Sequence, residues 1–453
     1  MRIHFIAIGG AAMHSLAIAM QQRGNQVTGS DDEIFDPAKS QLAKAGLLPA
    51  EFGWFPDRIS PDLDAVILGM HAHRDNPELN RALDLGIRVY SYPEFLYHET
   101  GNKTRVVIAG SHGKTTITSM VMHVLRHNGY QFDYMVGSRL EGFDNMVSLS
   151  PDTRIAVFEG DEYLSSCLDP RPKFHLYRPQ IALISGIAWD HINVFPTWEG
   201  YVDQFRIFIH NMPPGSKLVY CAEDPELKAL TENVNPDIHK EPYATPEYFI
   251  DQGVTFVKQD GRSCPLKVFG RHNLQNMDGA RRICRHLGLT DDQFFSAIVH
   301  FGGAGKRLQQ LGKNDRVAIF LDFAHSPSKV EATVKAVREQ FSGRRLVACL
   351  ELHTYSSLNR NFLGHYRHTL DGADDAIVFY NPETILHKRL EMITTMEVFE
   401  AFIKKDLKVF TVRSELESCL YTTVGADSVL LLMSSGNFSG INFKELSETI
   451  LRR

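Results

Sequence analysis

No stretch of this 453-residue chain is apolar for long enough to cross a membrane, so membrane insertion is not expected. Paired cysteine spacing is missing too. Cys167, Cys221, Cys264, Cys284, Cys349 and Cys419 are scattered, which argues against a zinc site or a disulfide framework and for reduced thiols in a cytoplasmic protein. An excess of positive charge is likewise absent: the net charge of −6 gives no reason to expect nucleic acid as a partner. There are no internal repeats, low-complexity tracts or coiled-coil heptads. The apolar opening Met1–Ile8 is too short for a signal sequence and runs directly into Gly9-Gly10, so it is expected to be the first strand. What these exclusions leave is a globular chain long enough for about three domains.

The stretch around which the rest is organised is Val106-Val-Ile-Ala-Gly-Ser-His-Gly-Lys-Thr-Thr116. Val106–Ala109 reads as a buried strand, Gly110 and Gly113 break it, and a helix follows with Ile117, Met120, Val121, Val124 and Leu125 on one face. A strand that passes through a glycine-rich turn into a helix N-terminus points backbone N–H groups and a positive dipole end at one place, which suits phosphate. Lys114 adds a mobile cation for the β- and γ-phosphates, and the hydroxyl of Thr115 or Thr116 suits Mg²⁺. The strict phosphate-loop pattern wants a glycine where Ile108 stands, so a plain strand–turn–helix is the competing reading.

Ahead of this loop, residues 1–102 alternate strand and helix patterns: strand Ile3–Ile8, helix Met13–Arg23, strands Gln26–Gly29 and Ala65–Gly69. This predicts a small doubly wound sheet with ligands beyond the strand ends. The dinucleotide fingerprint is poor, because only Gly10 is well placed and His14 occupies the last glycine position. A nucleotide-sugar suits the frame better, with Asp31 or Asp32 on a ribose or base edge and the His71–Asn76 loop beside the phosphates. Ordinary polar loops are the alternative.

Behind the loop, strands at Arg154–Phe158 and Ile181–Ile184 end on Glu159-Gly-Asp-Glu162 and Ser185–His191. Carboxylates and one imidazole at neighbouring strand ends form a candidate Mg²⁺ cluster. Gly270-Arg-His-Asn-Leu-Gln-Asn276 opens a helix (Met277–His286) and offers amides to a flat base. The glycine-rich Phe301–Arg307 reads as a hinge. Beyond it, strands at Val317–Leu321, Arg345–Leu350, Ala376–Tyr380 and Val429–Met433 and a helix at Val330–Phe341 predict a third α/β unit.

Six landmarks in register over essentially the whole chain resemble the Mur ligases, the ATP-dependent amide-forming enzymes of peptidoglycan assembly. They are Gly110-Ser-His-Gly-Lys-Thr-Thr, Glu159-Gly-Asp-Glu-Tyr, Asp190-His191, Gly270-Arg-His-Asn-Leu-Gln-Asn, Gly305-Lys-Arg and Asp322-Phe-Ala-His. The resemblance implies an α/β, three-domain architecture: a Rossmann-like UDP-sugar domain (1–102), a central ATP-binding phosphate-loop domain (103–304) and a Rossmann-like domain for the amino or peptide substrate (305–453). Within the family, Met1-Arg-Ile-His, Leu168-Asp-Pro-Arg-Pro-Lys-Phe174 and Leu432–Gly440 are similar to the members that join L-Ala-γ-D-Glu-meso-diaminopimelate to UDP-N-acetylmuramate. Departures are also visible. Residues 192–216 hold no lysine where many members carry a carbamylated one, and Lys306 replaces the first of two arginines. Glu351-Leu-His-Thr-Tyr-Ser stands where the tripeptide-using members have Glu-Pro-Arg-Ser-Asn-Thr.

The implied site follows residue by residue. Gly110, Ser111, His112, Gly113, Lys114, Thr115 and Thr116 take the ATP phosphates, and His272, Asn273 and Asn276 the adenine side. Arg307 and Asp322 close over the nucleotide, and Thr115, Glu159 and His191 hold Mg²⁺. Catalysis falls to Lys114, Glu159, His191 and Arg307; Gly10, Asp31, His71 and Asn76 bind the UDP-sugar; Arg171, Lys173 and His353 bind the peptide. The implied partners are ATP, UDP-N-acetylmuramate and a tripeptide or amino-acid acceptor, for a monomer or weak homo-oligomer. The alternatives are an L-alanine-adding member, a folylpolyglutamate-type ligase, or a regulatory ATPase without ligase activity.

Overall fold

A computed structural model describes residues 1–189, 194–232, 235–259 and 261–453. These group into two compact units, one of Met1–Ala244 with Asn276–Ala297, the other of Thr245–Gln275 with Ile298–Arg453. Among the described residues no helix is long and apolar enough to cross a membrane.

The first unit opens with β1 (Arg2–Ile6), β2 (Gln26–Ser30), β3 (Ala65–Leu68) and β4 (Val89–Ser91), all parallel, in the order β2-β1-β3-β4. Ile3, Phe5, Ile6 and every residue of β3 are fully buried, as unbroken apolar runs require in a parallel sheet covered on both faces. β1 stops at Ile6, short of the expected Ile8. Ala7 turns to φ +63°, and the Gly10 amide closes on its carbonyl at 3.4 Å, aiming the chain into helix Ala11–Gln22.

The second sheet of this unit holds β5 (Thr104–Ala109), β6 (Asp133–Met135), β7 (Val147–Ser148), β8 (Ile155–Glu159), β9 (Ile181–Ile184), β10 (Lys217–Cys221) and β11 (His239–Tyr243). Its order is β11-β10-β9-β5-β8-β6-β7, with β7 the antiparallel edge. β5 lies between β8 and β9, with Ile108 paired to Glu159 and Ala109 to Ile184. That register brings the ends of three separate apolar runs to one edge, where the phosphate loop begins.

In the second unit β12 (Tyr248–Asp251), β13 (Val254–Gln259) and β14 (Arg262–Leu266) form an antiparallel sheet that the hydrophobic pattern did not announce. Its strands are half-exposed and carry Asp251, Lys258 and Arg262, so alternation is weak. The main sheet holds β15 (Gln309–Lys313), β16 (Val317–Asp322), β17 (Arg345–Glu351), β18 (Asp375–Phe379), β19 (Lys408–Phe410) and β20 (Ser428–Met433) in the order β15-β16-β20-β17-β18-β19. Alternate residues feed two cores: Ala318, Phe320, Ala348 and Leu350 pack with Val330, Val334 and Val337, while Ile319, Leu321, Val347 and Cys349 pack with Leu416, Leu420, Leu446 and Ile450. The connection from β16 to β17 passes over β20, so Asp322, Glu351 and Ser434 gather at a topological switch, where doubly wound sheets place ligands.

Candidate active site

The phosphate loop is forced by its glycines. Gly110 has φ +119°, and a Cβ there would lie 2.2 Å from Ser185 Oγ; Gly113 has φ +76°, and a Cβ would lie 2.4 Å from Asn276 Oδ1. No side chain fits either position without moving β9's end or Asn276. Gly113 caps helix Lys114–His127, so the helix N-terminus opens directly onto the loop. The Ser111 amide bonds Gly186 O at 3.0 Å, and the Ser185 hydroxyl donates to His112 O, seating the loop on the end of β9.

Carboxylates from the end of β8 surround this loop. Glu159 is buried and accepts from Thr115 Oγ1 at 2.9 Å and from the Gly137 amide at 2.8 Å. Lys114 Nζ donates to Gly110 O at 2.8 Å and to Glu162 Oε2 at 2.6 Å. Burial works against the Lys114 ammonium, but Glu162, Asp161 and Glu159 outweigh it and its pKa is raised. Asp161 bonds Lys173 Nζ at 2.6 Å; burial pushes its carboxyl up, but Lys173 and Lys114 hold it below the usual carboxylate range. Thr116 is buried in the first turn of the loop helix.

The segment Leu168–Phe174 thus folds back onto β8's end: Phe174 N donates to Asp161 O at 3.1 Å and Lys173 N to Tyr163 O at 2.9 Å. Lys173, expected at the peptide, stands beside the phosphate-loop carboxylates. Arg171 is exposed and forked onto Asp169 at 2.9 and 2.7 Å.

Asn276 reaches the loop at Gly113. Asn273 is buried, and its side-chain amide donates to Phe269 O at 2.9 Å. In the second unit, burial holds the pKa of His272 down against the opposing charge of Asp322. Asp322 spends its oxygens on the chain: Leu308 N and Ala324 N each donate to it at 2.7 Å. The Arg307 guanidinium lies 4.4 Å from the Phe323 ring centre. His191 lies outside the described residues.

At the first sheet, Gly10 caps helix Ala11–Gln22 and its carbonyl accepts from His14. Asp31 is 7% exposed, accepts the Gly9 amide at 2.6 Å and the Asp32 amide at 3.0 Å, and burial pushes its pKa up to about 6. His71 is exposed. Asn76 caps helix Pro77–Asp84, accepting from Glu78 N and Leu79 N at 3.0 and 3.1 Å. At the switch of the second unit, Glu351 is buried and accepts from the Ser434 hydroxyl and from Phe438 N at 2.8 Å, with His353 Nδ1 3.9 Å away. Arg360 is held by Glu397 Oε1 at 2.6 Å and Met392 O at 2.9 Å.

Among the described residues no three His, Cys, Asp or Glu side chains group into a ready metal site. Mg²⁺ does not need one, since it uses one or two protein oxygens and takes the rest from phosphate and water. Thr115 Oγ1 and Glu159 Oε1, already 2.9 Å apart beside the loop, are hard oxygen donors of that kind. One residue beside the loop was not read from the sequence: Tyr201, on helix Trp198–His210, whose hydroxyl meets Ser111 and Glu162.

Comparison with known proteins accounts for most of the chain. Residues 2–103 match the model described as Mur ligase family, catalytic domain, residues 108–283 the Mur ligase middle domain, and residues 306–436 the Mur ligase glutamate ligase domain. A UDP-N-acetylmuramate–L-alanine ligase of Arthrobacter sp. (strain FB24) is 32% identical over 387 residues, covering 83% of this chain and 80% of the relative. A UDP-N-acetylmuramate–L-alanyl-γ-D-glutamyl-meso-2,6-diaminoheptandioate ligase of Escherichia coli (strain K12) is 28% identical over 463 residues, covering 98% of each chain. The crystal structure of a UDP-N-acetylmuramate–alanine ligase from Thermotoga maritima superposes with a TM-score of 0.72 at 21% identity, over 100% of this chain and 99% of that one.

Proposed function

The chain belongs to the Mur ligase family of ATP-dependent ligases, and from that premise we propose that it joins L-Ala-γ-D-Glu-meso-diaminopimelate to the carboxylate of UDP-N-acetylmuramate. The observation that carries the reading is the Leu168–Phe174 segment, similar to the tripeptide-joining members and folded so that Lys173 meets Asp161 at 2.6 Å beside the phosphate loop. The Leu432–Gly440 ending, and a relative bearing that activity matched over 98% of both chains, support it as well. The competing reading is addition of L-alanine, which is the activity named for the 32%-identical relative.

A carboxylate is a poor electrophile toward an amine. Its oxygen attacks the γ-phosphorus of ATP and ADP leaves, giving an acyl phosphate. The amine then bonds to the acyl carbon, loses a proton and expels phosphate. Lys114 and the loop amides stabilise charge on the transferring phosphoryl group, and Lys173 adds a second cation beside them. Mg²⁺, held by Thr115 and Glu159 together with His191, would neutralise phosphate charge when bound. His272, Asn273 and Asn276 hold the adenine side, and Arg307 and Asp322 serve the nucleotide. Gly10, Asp31, His71 and Asn76 are assigned to the UDP-sugar, and Arg171, Lys173 and His353 to the acceptor peptide. Residues 1–102, 103–304 and 305–453 are the corresponding domains of a cytoplasmic enzyme, monomeric or weakly self-associating. Phosphate release that requires UDP-N-acetylmuramate and an amine together is the expected result. Equal release from ATP alone would identify a nucleotide-hydrolysing module instead.

A further inference from the structure

Beside the phosphate loop runs a chain of hydrogen bonds whose directions are fixed by its ends. The Ala188 amide can only donate, and gives its hydrogen to Ser111 Oγ at 2.8 Å. The Glu162 carboxylate can only accept, and takes Tyr201 O–H at 3.2 Å on Oε1 and Lys114 Nζ at 2.6 Å on Oε2. Ser111 Oγ and Tyr201 Oη are 2.8 Å apart between these ends. Tyrosine has one hydroxyl hydrogen and spends it on Glu162, so Ser111 donates to Tyr201. The relay reads Ala188 to Ser111 to Tyr201 to Glu162, with Lys114 closing it from the other side. Ser111, Tyr201 and Glu162 are 4%, 0% and 1% exposed, so water does not dilute these bonds.

The reaction asks nothing of the Tyr201 hydroxyl, which is buried within the first unit. Lys114 is another matter. Two of its three hydrogens are engaged by Gly110 O and Glu162, and a phosphate that recruits this ammonium must draw it from Glu162. Each other donor to Glu162 spreads the carboxylate charge and loosens its hold on Lys114. We propose that the Ser111–Tyr201–Glu162 relay is a positioning device that sets how readily Lys114 is released to nucleotide phosphate. Tyr201 is the residue through which helix Trp198–His210 acts on the loop. The inference rests on the nucleotide reading above.

The test is equilibrium binding of ADP by calorimetry in EDTA, without UDP-sugar or turnover, alongside thermal melting. Tyr201→Phe keeps a ring packed 5.5 Å from Phe195 and 5.4 Å from Phe205 and removes only the hydroxyl. Glu162 then leans harder on Lys114, and ADP affinity should fall about tenfold, the scale of one buried hydrogen bond. Ser111→Ala, one step upstream, should shift affinity in the same direction by less. Glu162→Gln removes the charge that holds Lys114 and should raise ADP affinity severalfold. The opposed signs are the signature. If Tyr201→Phe and Glu162→Gln both weaken binding in step with lost melting temperature, or neither changes it, the relay is packing and the proposal is overturned. A wild-type protein that does not bind ADP would overturn the nucleotide reading itself, and the relay with it.

Discussion

At the end of β8 three carboxylates, Glu159, Asp161 and Glu162, meet two ammonium groups, Lys114 and Lys173, and on the proposed function an incoming polyphosphate would compete for those cations. Lys114→Ala removes charge from a loop rather than bulk from the core, so the protein should stay folded and lose at least about 10²-fold in kcat. Near-normal turnover would take the loop out of the reaction. Glu159→Gln and His191→Ala should each raise the Mg²⁺ concentration needed for half-maximal rate; saturation at the wild-type concentration would refute the metal assignment. Asp31 offers a stability test. Its folded pKa of about 6 lies above the ordinary 3.8, so the folded chain holds that proton more tightly than the unfolded one. Its contribution to stability is full below about pH 4 and is lost as pH rises through about 6. Asp31→Asn should therefore gain in melting temperature relative to wild type between pH 4.5 and 7.5, and a parallel pH dependence would contradict the shift. Lys114, Thr115 and Glu159 were legible because they sit at fixed offsets from a strand end and a glycine turn. Tyr201 was not, because it finds its partners, Ser111 and Glu162, only across the fold.

The elements that carry these residues were mostly readable, since buried parallel strands are unbroken apolar runs. β9 falls on its expected residues, and β5, β8, β16 and β17 differ only at their ends. The antiparallel β12–β14 sheet escaped because half-exposed strands with charged residues share their composition with loops. The loop residue Asn76 shows a further limit, because a polar side chain at a helix start suits a ligand and a cap equally well in sequence. Its oxygen takes two helix amides, so Asn76→Ala should cost about 1 kcal/mol of stability in denaturant unfolding while Asn76→Asp costs little. Equal losses in the two variants would mean the cap is not what Asn76 supplies.

For the whole molecule the family settles the chemistry, an ATP-dependent amide ligation, while the acceptor is a matter of few residues. On the proposed function, His353 stands where the tripeptide-using members have an arginine, and Arg360 is paired with Glu397 and Met392 O, so the contact with the peptide's carboxylates would differ from that of those members. Histidine is a weaker and pH-dependent anion partner, and altered preference at the third peptide residue, including lysine-type or shorter peptides, is the expected consequence. The most direct measurement is phosphate release and product mass with UDP-N-acetylmuramate, MgATP and an equimolar mixture of L-alanine and L-Ala-γ-D-Glu-meso-diaminopimelate. The account predicts the tripeptide adduct as the dominant product. Efficient formation of the alanine adduct with no tripeptide adduct would contradict it.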